Sequence, residues 1–312
     1  MMSPPLPAPL PSPLERIDHP AATAAGVALY CKRDDLYTLA PGTALQGNKV
    51  RKLYPDLTAA LTAARPPVFY TFGGAYSNHI AAVAAAASVF HIRALAFIRG
   101  EEVDNPLLQD ATRRGLRLVK ISRSEYRQRD DLRWLDEKHK LIANEYRLPV
   151  EAVRCIPEGG TTREGMISAG GAYAETRTQL GAAPDYFCLS AGTGGTAAGI
   201  IHAADERTKI EVFPALKGDW MAGEIEKCLS PAAAKQWACI SGYDFGGYGK
   251  FPAAWCSPST GLTKRADIGE PGLPPLEPIY TAKLFYGVLD RIRQGVYPEG
   301  SRVVILHTGG IY

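Results

Sequence analysis

Residues 186–196 read YFCLSAGTGGT and lead into an apolar stretch that begins near Ala197. A short apolar run that breaks into glycines and then takes up a helical pattern is a strand, a tight turn and a helix. Gly192, Gly194 and Gly195 lack Cβ atoms, so their backbone N–H groups can converge on one point, while Thr193 and Thr196 add hydroxyls. The partial positive charge of the helix N-terminus falls at the same place. The turn is therefore a candidate phosphate site. No Lys-Ser/Thr follows the glycines as in a Walker A loop, and the GxGxxG fingerprint is absent, which disfavours a nucleoside triphosphate or a dinucleotide.

Outward from this turn the same rhythm fills the chain. Apolar runs occur at 68–72 (VFYTF), 92–98 (IRALAFI), 116–121 (LRLVKI), 152–156 (AVRCI), 210–213 (IEVF) and 303–307 (VVILH), with helical patterns after Asn78 and around Trp134 to Ile142. Strands separated by helices predict an α/β fold built on mainly parallel sheets. Such sheets bind ligands beyond the carboxyl ends of their strands, so the turns that follow strands are where chemistry is expected.

Bulk properties narrow the partners. With 35 basic and 32 acidic residues spread along the chain, a net charge of +3 offers no concentrated basic face for nucleic acid. Cys31, Cys155, Cys188, Cys228, Cys239 and Cys256 lie far apart, and no Cys/His cluster has zinc-ligand spacing, so no metal is expected. Reduced thiols, a proline-rich N-terminus unlike a signal peptide, and no long apolar run predict a soluble cytoplasmic protein with no membrane partner.

Two further segments carry candidate chemistry. In GGAYSNH (73–79), Ser77, Asn78 and His79 fall at the start of a helix, where free amides suit an anion; read alone, such a Ser-Asn pair is an N-cap. In GNKVRKL (47–53), Lys49 becomes a nucleophile if burial strips its ammonium of water, whereas Lys52 reads as a solvated surface charge. Two anion-suited helix starts in one chain point to a ligand pair such as a cofactor phosphate and a substrate carboxylate.

These segments, together with SPLER (12–16), KRDDL (32–36), IPEGG (156–160) and LHTGG (306–310), resemble in order and spacing the 1-aminocyclopropane-1-carboxylate (ACC) deaminase and D-cysteine desulfhydrase family. That family belongs to the pyridoxal 5'-phosphate enzymes of fold type II, the tryptophan-synthase-β-like class. The resemblance covers nearly the whole chain and implies two lobes, each a mainly parallel twisted sheet flanked by helices. By it, residues 51–156 form a small α/β domain, residues 1–50 and 157–312 form a large cofactor-binding domain, and the cofactor lies in the cleft.

The resemblance also implies roles. Lys49 carries pyridoxal phosphate as a Schiff base, Gly192 to Thr196 hold its phosphate, and Asn78 meets its 3'-oxygen. Ser77, Asn78 and His79 receive the substrate carboxylate, with Ser77 in a position to relay a proton. Tyr280 in EPIYTAK (277–283) and Tyr248 in FGGYG (245–249) flank the reacting site. ACC deaminases typically have a glutamate after the tyrosine, facing the pyridine nitrogen. This chain has Thr281, and Thr308 matches the threonine that partners the pyridine in the desulfhydrases. A hydroxyl makes a weaker electron sink of the ring than a carboxylate does, which suits β-elimination better than opening a cyclopropane. The implied reaction is a D-cysteine desulfhydrase-like β-elimination giving pyruvate, ammonia and sulfide. The alternatives are ACC deamination to 2-oxobutyrate and a non-catalytic pyridoxal phosphate-binding protein. The partner is a small amino acid, and the family implies a homodimer.

Overall fold

The computed structural model describes residues 6, 9–100, 104–230, 236–251, 255 and 269–310. Cys256 lies outside them. The chain divides into two compact units, one of residues 1–9 with 38–165 and the other of residues 10–37 with 166–312.

The second unit begins with β1 (Leu14–Arg16), α1 (Pro20–Ala24) and β2 (Ala28–Lys32). The first unit then runs α2 (Asn48–Thr62), β3 (Val68–Gly73), α3 (Asn78–Phe90), β4 (Arg93–Arg99), α4 (Pro106–Arg113), β5 (Arg117–Ile121), α5 (Arg123–Tyr126), α6 (Leu132–Tyr146) and β6 (Val153–Ile156). Its four strands pair in the order β5-β4-β3-β6, all parallel. Every residue of β3 is buried, as a parallel strand covered on both faces requires. On one face Tyr70, Phe72, Phe97, Tyr126 and Trp134 form a continuous aromatic core. The alanine-rich α3 is buried from His79 to Ala87, its small side chains allowing close approach.

Helix α7 (Arg163–Leu180) leads back into the second unit, followed by β7 (Tyr186–Ala191), α8 (Gly195–Ala203), β8 (Lys209–Pro214), α9 (Met221–Cys228), β9 (Trp237–Cys239), α10 (Thr281–Arg293) and β10 (Arg302–Leu306). Six strands pair in the order β1-β2-β10-β7-β8-β9, antiparallel at β1-β2 and parallel elsewhere. The two-residue period of β10 splits its side chains cleanly. Val303 and Ile305 pack with Leu29, Phe285 and Val288, and Val304 and Leu306 pack with Phe187, Leu189 and Ile200.

All seven strands read from the apolar runs are present, within two residues of the expected ends. Strands β1, β2 and β9 were not anticipated: β1 and β9 have three residues each, and β1, β2 and β9 contain exposed or half-buried positions that blur the pattern. The units break at 9/10, 37/38 and 165/166, where the sequence suggested 50/51 and 156/157. The difference follows from packing. Gly160 lies against Lys52 Cβ, and Gly165 against the Lys52 carbonyl, so residues 157–165 are held on α2.

Candidate active site

The predicted residues divide between the units. In the first, Gly47 precedes α2 at φ +71°, a conformation that glycine takes readily, and Lys49 follows in the opening turn of the helix. Lys49 is half-buried, yet its ammonium is packed closely enough by protein that desolvation brings its pKa down to about 8. About a tenth is then the free amine at neutral pH, far more than for an ordinary lysine, and the free amine is what a nucleophilic lysine needs.

The turn after β3 puts Ser77 at the N-cap of α3, its Oγ accepting from the Ile80 amide at 3.5 Å. Asn78 and His79 open the helix. His79 is buried, and its Nε2 lies 2.7 Å from Thr71 Oγ1. Thr71 has one proton and donates it to the Ile156 carbonyl, also at 2.7 Å. It must therefore accept from His79 Nε2–H, which leaves Nδ1 as a bare acceptor, and Nδ1 has no partner among the described residues. Burial, with Lys49 and Lys52 nearby, holds the imidazole pKa well below its usual value, so the ring stays neutral. The neutral, buried ring brings no positive charge to a carboxylate. A carboxylate at this helix start would be met by main-chain amides and by Ser77.

Lys52 corrects an expectation. It is 1% exposed, not solvated, and its Nζ donates to Thr161 Oγ1 at 3.0 Å, while Thr161 donates to the Glu158 carbonyl. Helix periodicity alone could not have shown that residues 158–161 fold over this face of α2.

In the second unit the turn from β7 to α8 lies beneath Tyr280. A Cβ on Gly192 would fall 2.9 Å from Tyr280 Cε1 and 3.1 Å from its hydroxyl, so the phenol rests directly on the glycine turn. Gly194 caps α8 at φ +77°, with Ile225 Cγ1 3.1 Å from where a Cβ would be. Tyr280 is itself the N-cap of α10, and Glu277 fixes it there. Buried Glu277 accepts from the Tyr280 and Thr281 amides at 2.7 Å and from the Ile279 amide at 2.8 Å. Thr281 is fully buried, its Oγ1 accepting from the Glu277 amide at 2.9 Å and donating back to the Glu277 carbonyl.

Thr308 follows β10, beside β7, at the same carboxyl edge as the glycine turn. Its neighbour His307 is anchored by Nε2 to the Pro275 carbonyl at 2.8 Å and by Nδ1 to the Gly309 amide at 3.2 Å, and burial depresses its pKa. Tyr248 is 43% exposed, on a turn after β9. A cavity of about 230 Å³ opens at the ends of β8 and β9, lined by Pro214, Leu216, Met221, Ser241 and Asp244 among others.

Thr71, Glu277 and His307 were missed by sequence reading; Thr71 and His307 act through partners distant in the chain, the Ile156 and Pro275 carbonyls. Glu277, a carboxylate placed just before a helix, was the one with a readable signal. Among the described residues no cluster of His, Cys, Asp or Glu could hold a metal, and no helix is long and apolar enough to cross a membrane.

Two mainly parallel sheets, a lysine of lowered pKa in an opening helical turn and a glycine turn under a tyrosine fit the class of pyridoxal phosphate enzymes. The chain belongs to the family of pyridoxal-phosphate dependent enzymes, whose model matches residues 6–227. A putative 1-aminocyclopropane-1-carboxylate deaminase of Pyrococcus abyssi is 32% identical over 302 residues, covering 92% of this chain and 85% of that protein. The 1-aminocyclopropane-1-carboxylate deaminase of Mesorhizobium japonicum is 27% identical and covers 96% of this chain and 92% of its own. The crystal structure of an ACC deaminase homologue superposes with a TM-score of 0.74 at 27% identity, over 97% of this chain and 90% of that one. Fold type II is thereby established, and pyridoxal phosphate is the cofactor. The residues present fit it: Lys49 has an amine of lowered pKa, and α8 opens from a glycine turn in which Gly194 takes φ +77°.

Proposed function

We propose that this enzyme is a deaminating lyase of a small amino acid, acting by β-elimination of the D-cysteine desulfhydrase type. Lys49 is the attachment point for the cofactor, the turn from Gly192 to Thr196 takes its phosphate, Asn78 its 3'-oxygen and Thr308 its pyridine nitrogen. When bound, pyridoxal phosphate supplies the electron sink that stabilises negative charge at the substrate Cα. Ser77 and the first amides of α3 hold the substrate carboxylate. The Lys49 amine released by the substrate, or the Tyr280 phenol, takes the Cα proton, and Tyr248 faces the departing group. The Cβ–S bond breaks with its electron pair going to sulfur, and the released enamine takes up water to give pyruvate and ammonia.

The observation that carries this reading over ring opening is Thr281. Where ACC deaminases typically have a carboxylate, this position is fully buried and its hydroxyl is bonded to Glu277. ACC deamination is the second reading, favoured by the names of the relatives. The deciding assay mixes purified protein with D-cysteine, L-cysteine and ACC in turn, following absorbance at about 410–420 nm, where a lysine-bound cofactor absorbs, and keto acid release. Pyruvate from D-cysteine is expected. Formation of 2-oxobutyrate from ACC, with no pyruvate from either cysteine, would replace the elimination reading by the second. The implied homodimer is checked by light scattering.

A further inference from the structure

Lys283 lies on α10, one turn beyond Tyr280, and is 1% exposed. Its ammonium donates to three main-chain carbonyls: Ala215 at 2.8 Å, Asp244 at 2.8 Å and Gly247 at 2.7 Å. All three protons are thus used, and none by a carboxylate. Burial lowers its pKa, an effect that Asp244 and Glu277 oppose.

The carbonyls belong to two separate stretches. Ala215 follows the end of β8, while Asp244 and Gly247 belong to the turn that carries Tyr248. That turn contains one strained residue. Phe245, Gly246, Gly247 and Gly249 all have positive φ, at 52°, 93°, 124° and 69°, and Phe245 has a side chain to accommodate there. Its local main-chain closures include Gly247 N–H to the Asp244 carbonyl and Lys250 N–H to the Gly247 carbonyl, with Gly246 N–H on Asp244 Oδ1. Both acceptor carbonyls are the ones turned onto Lys283. The ammonium gives each of these carbonyls a second donor and bonds them jointly with the Ala215 carbonyl, adding cross-chain ties to a turn otherwise closed by its own neighbours. Asp244, Pro214 and Leu216 also line the 230 Å³ cavity, so Lys283 joins two of its walls.

We propose that Lys283 is a positioning residue, a built-in cation that ties the Tyr248 turn and the end of β8 to the helix whose N-cap is Tyr280. One anchor then sets both phenols. The functional part of this inference rests on the reading above that Tyr248 and Tyr280 serve the reaction.

The test uses cofactor-loaded Lys283→Ala, with hydrogen–deuterium exchange of the peptide 241–250 and kcat and KM for the substrate identified above. Potassium chloride is added as the probe, because backbone carbonyls bind K⁺ readily, with tetramethylammonium chloride as a control too large for the cage. Expected are faster exchange in 241–250 and a kcat lower by roughly 10- to 100-fold with a smaller change in KM. Potassium reverses both in part, and tetramethylammonium does neither. Unchanged exchange would overturn the anchor. Faster exchange that potassium leaves untouched would mean that packing, not charge, was lost, and would overturn the cation role. Faster exchange reversed by potassium with kcat unchanged would overturn the positioning of a reacting group while leaving cofactor and substrate readings intact. If the wild type turns over none of the three amino acids, the proposed function fails and the exchange arm alone decides the anchor. Should Lys283→Ala not fold, Lys283→Gln keeps the size and two N–H donors without the charge. It is expected to show the same rise in exchange to a smaller degree, and wild-type exchange in it would equally overturn the inference.

Discussion

Lys49 and Lys52 show how much a single residue's meaning depends on what covers it. Both are in GNKVRKL, one helical turn apart, and both are withdrawn from bulk water, but Lys52 is bonded to Thr161 while Lys49 has its pKa lowered to about 8 by desolvation alone. Substituting Lys49→Ala is expected to abolish turnover and the absorbance at about 410–420 nm; persistence of the band would move the attachment to another lysine. The pKa also sets a pH dependence. Only the neutral amine attacks a carbonyl, and its fraction rises with pH until the folded-state pKa is passed. Cofactor loading of the apoprotein should therefore accelerate up to about pH 8 and then level off, where a lysine at 10.5 would still be gaining rate. Stopped-flow absorbance across pH 6.5 to 10 separates the two shapes. Lys49 as a candidate was legible in the sequence, through motif order and the chemistry of a lysine nucleophile. The neutral state of His79 was not, because it follows from burial with Lys49 and Lys52 nearby, and its tautomer from Thr71 on the preceding strand.

At the scale of elements, helix starts do the organising, and each has its own device. Helix α8 relies on glycine, and α10 relies on Glu277, whose two oxygens take three amides. Replacing Gly194 by Ala forces a side chain into a positive φ with Ile225 3.1 Å away, and is expected to weaken cofactor binding by at least roughly tenfold, about 1.4 kcal/mol. Fluorescence titration of the apoprotein with pyridoxal phosphate measures it. Gly192→Ala pushes instead on the Tyr280 ring and should lower kcat more than cofactor affinity. For Glu277→Ala, loss of a buried carboxylate cap predicts a stability loss of about 2 kcal/mol, read as a drop of several degrees in Tm, with reduced kcat because Tyr280 loses its main-chain anchor. An unchanged kcat with lowered Tm would show that the cap does not set the phenol. The strands and helices that bear the site were legible from hydrophobic runs, since β3 and β7 are buried along their whole length. Strands β1 and β9, with three residues each and exposed positions, carry too little pattern to read.

For the molecule as a whole, each unit has its own core, and the second is cross-braced beneath its sheet by a polar network. Buried Glu211 on β8 accepts from Arg291 Nη2 at 2.6 Å and from the Tyr297 hydroxyl at 2.6 Å, and Cys188 on β7 lies 3.8 Å away. Removing one member leaves the others buried and unpaired, so Glu211→Ala is expected to cost about 3 kcal/mol. A urea titration followed by tryptophan fluorescence would show it, and a midpoint like that of the wild type would mean that the network contributes nothing net. Burial and the nearby carboxylate also raise the Cys188 thiol well above its ordinary pKa, which makes it inert to alkylation in the native enzyme. The sequence by itself determined the α/β class and the parallel sheets, and singled out the glycine turn and Lys49 as candidates, because apolar periodicity and glycine-rich turns act through neighbours in the chain. Only the tertiary structure decided that Tyr280 rests on Gly192, that Thr281 is bonded to Glu277 and that Lys283 is caged by three carbonyls. The first and last depend on contacts between segments far apart in the chain, and the second on how the turn before α10 folds, and residue spacing carries no record of either.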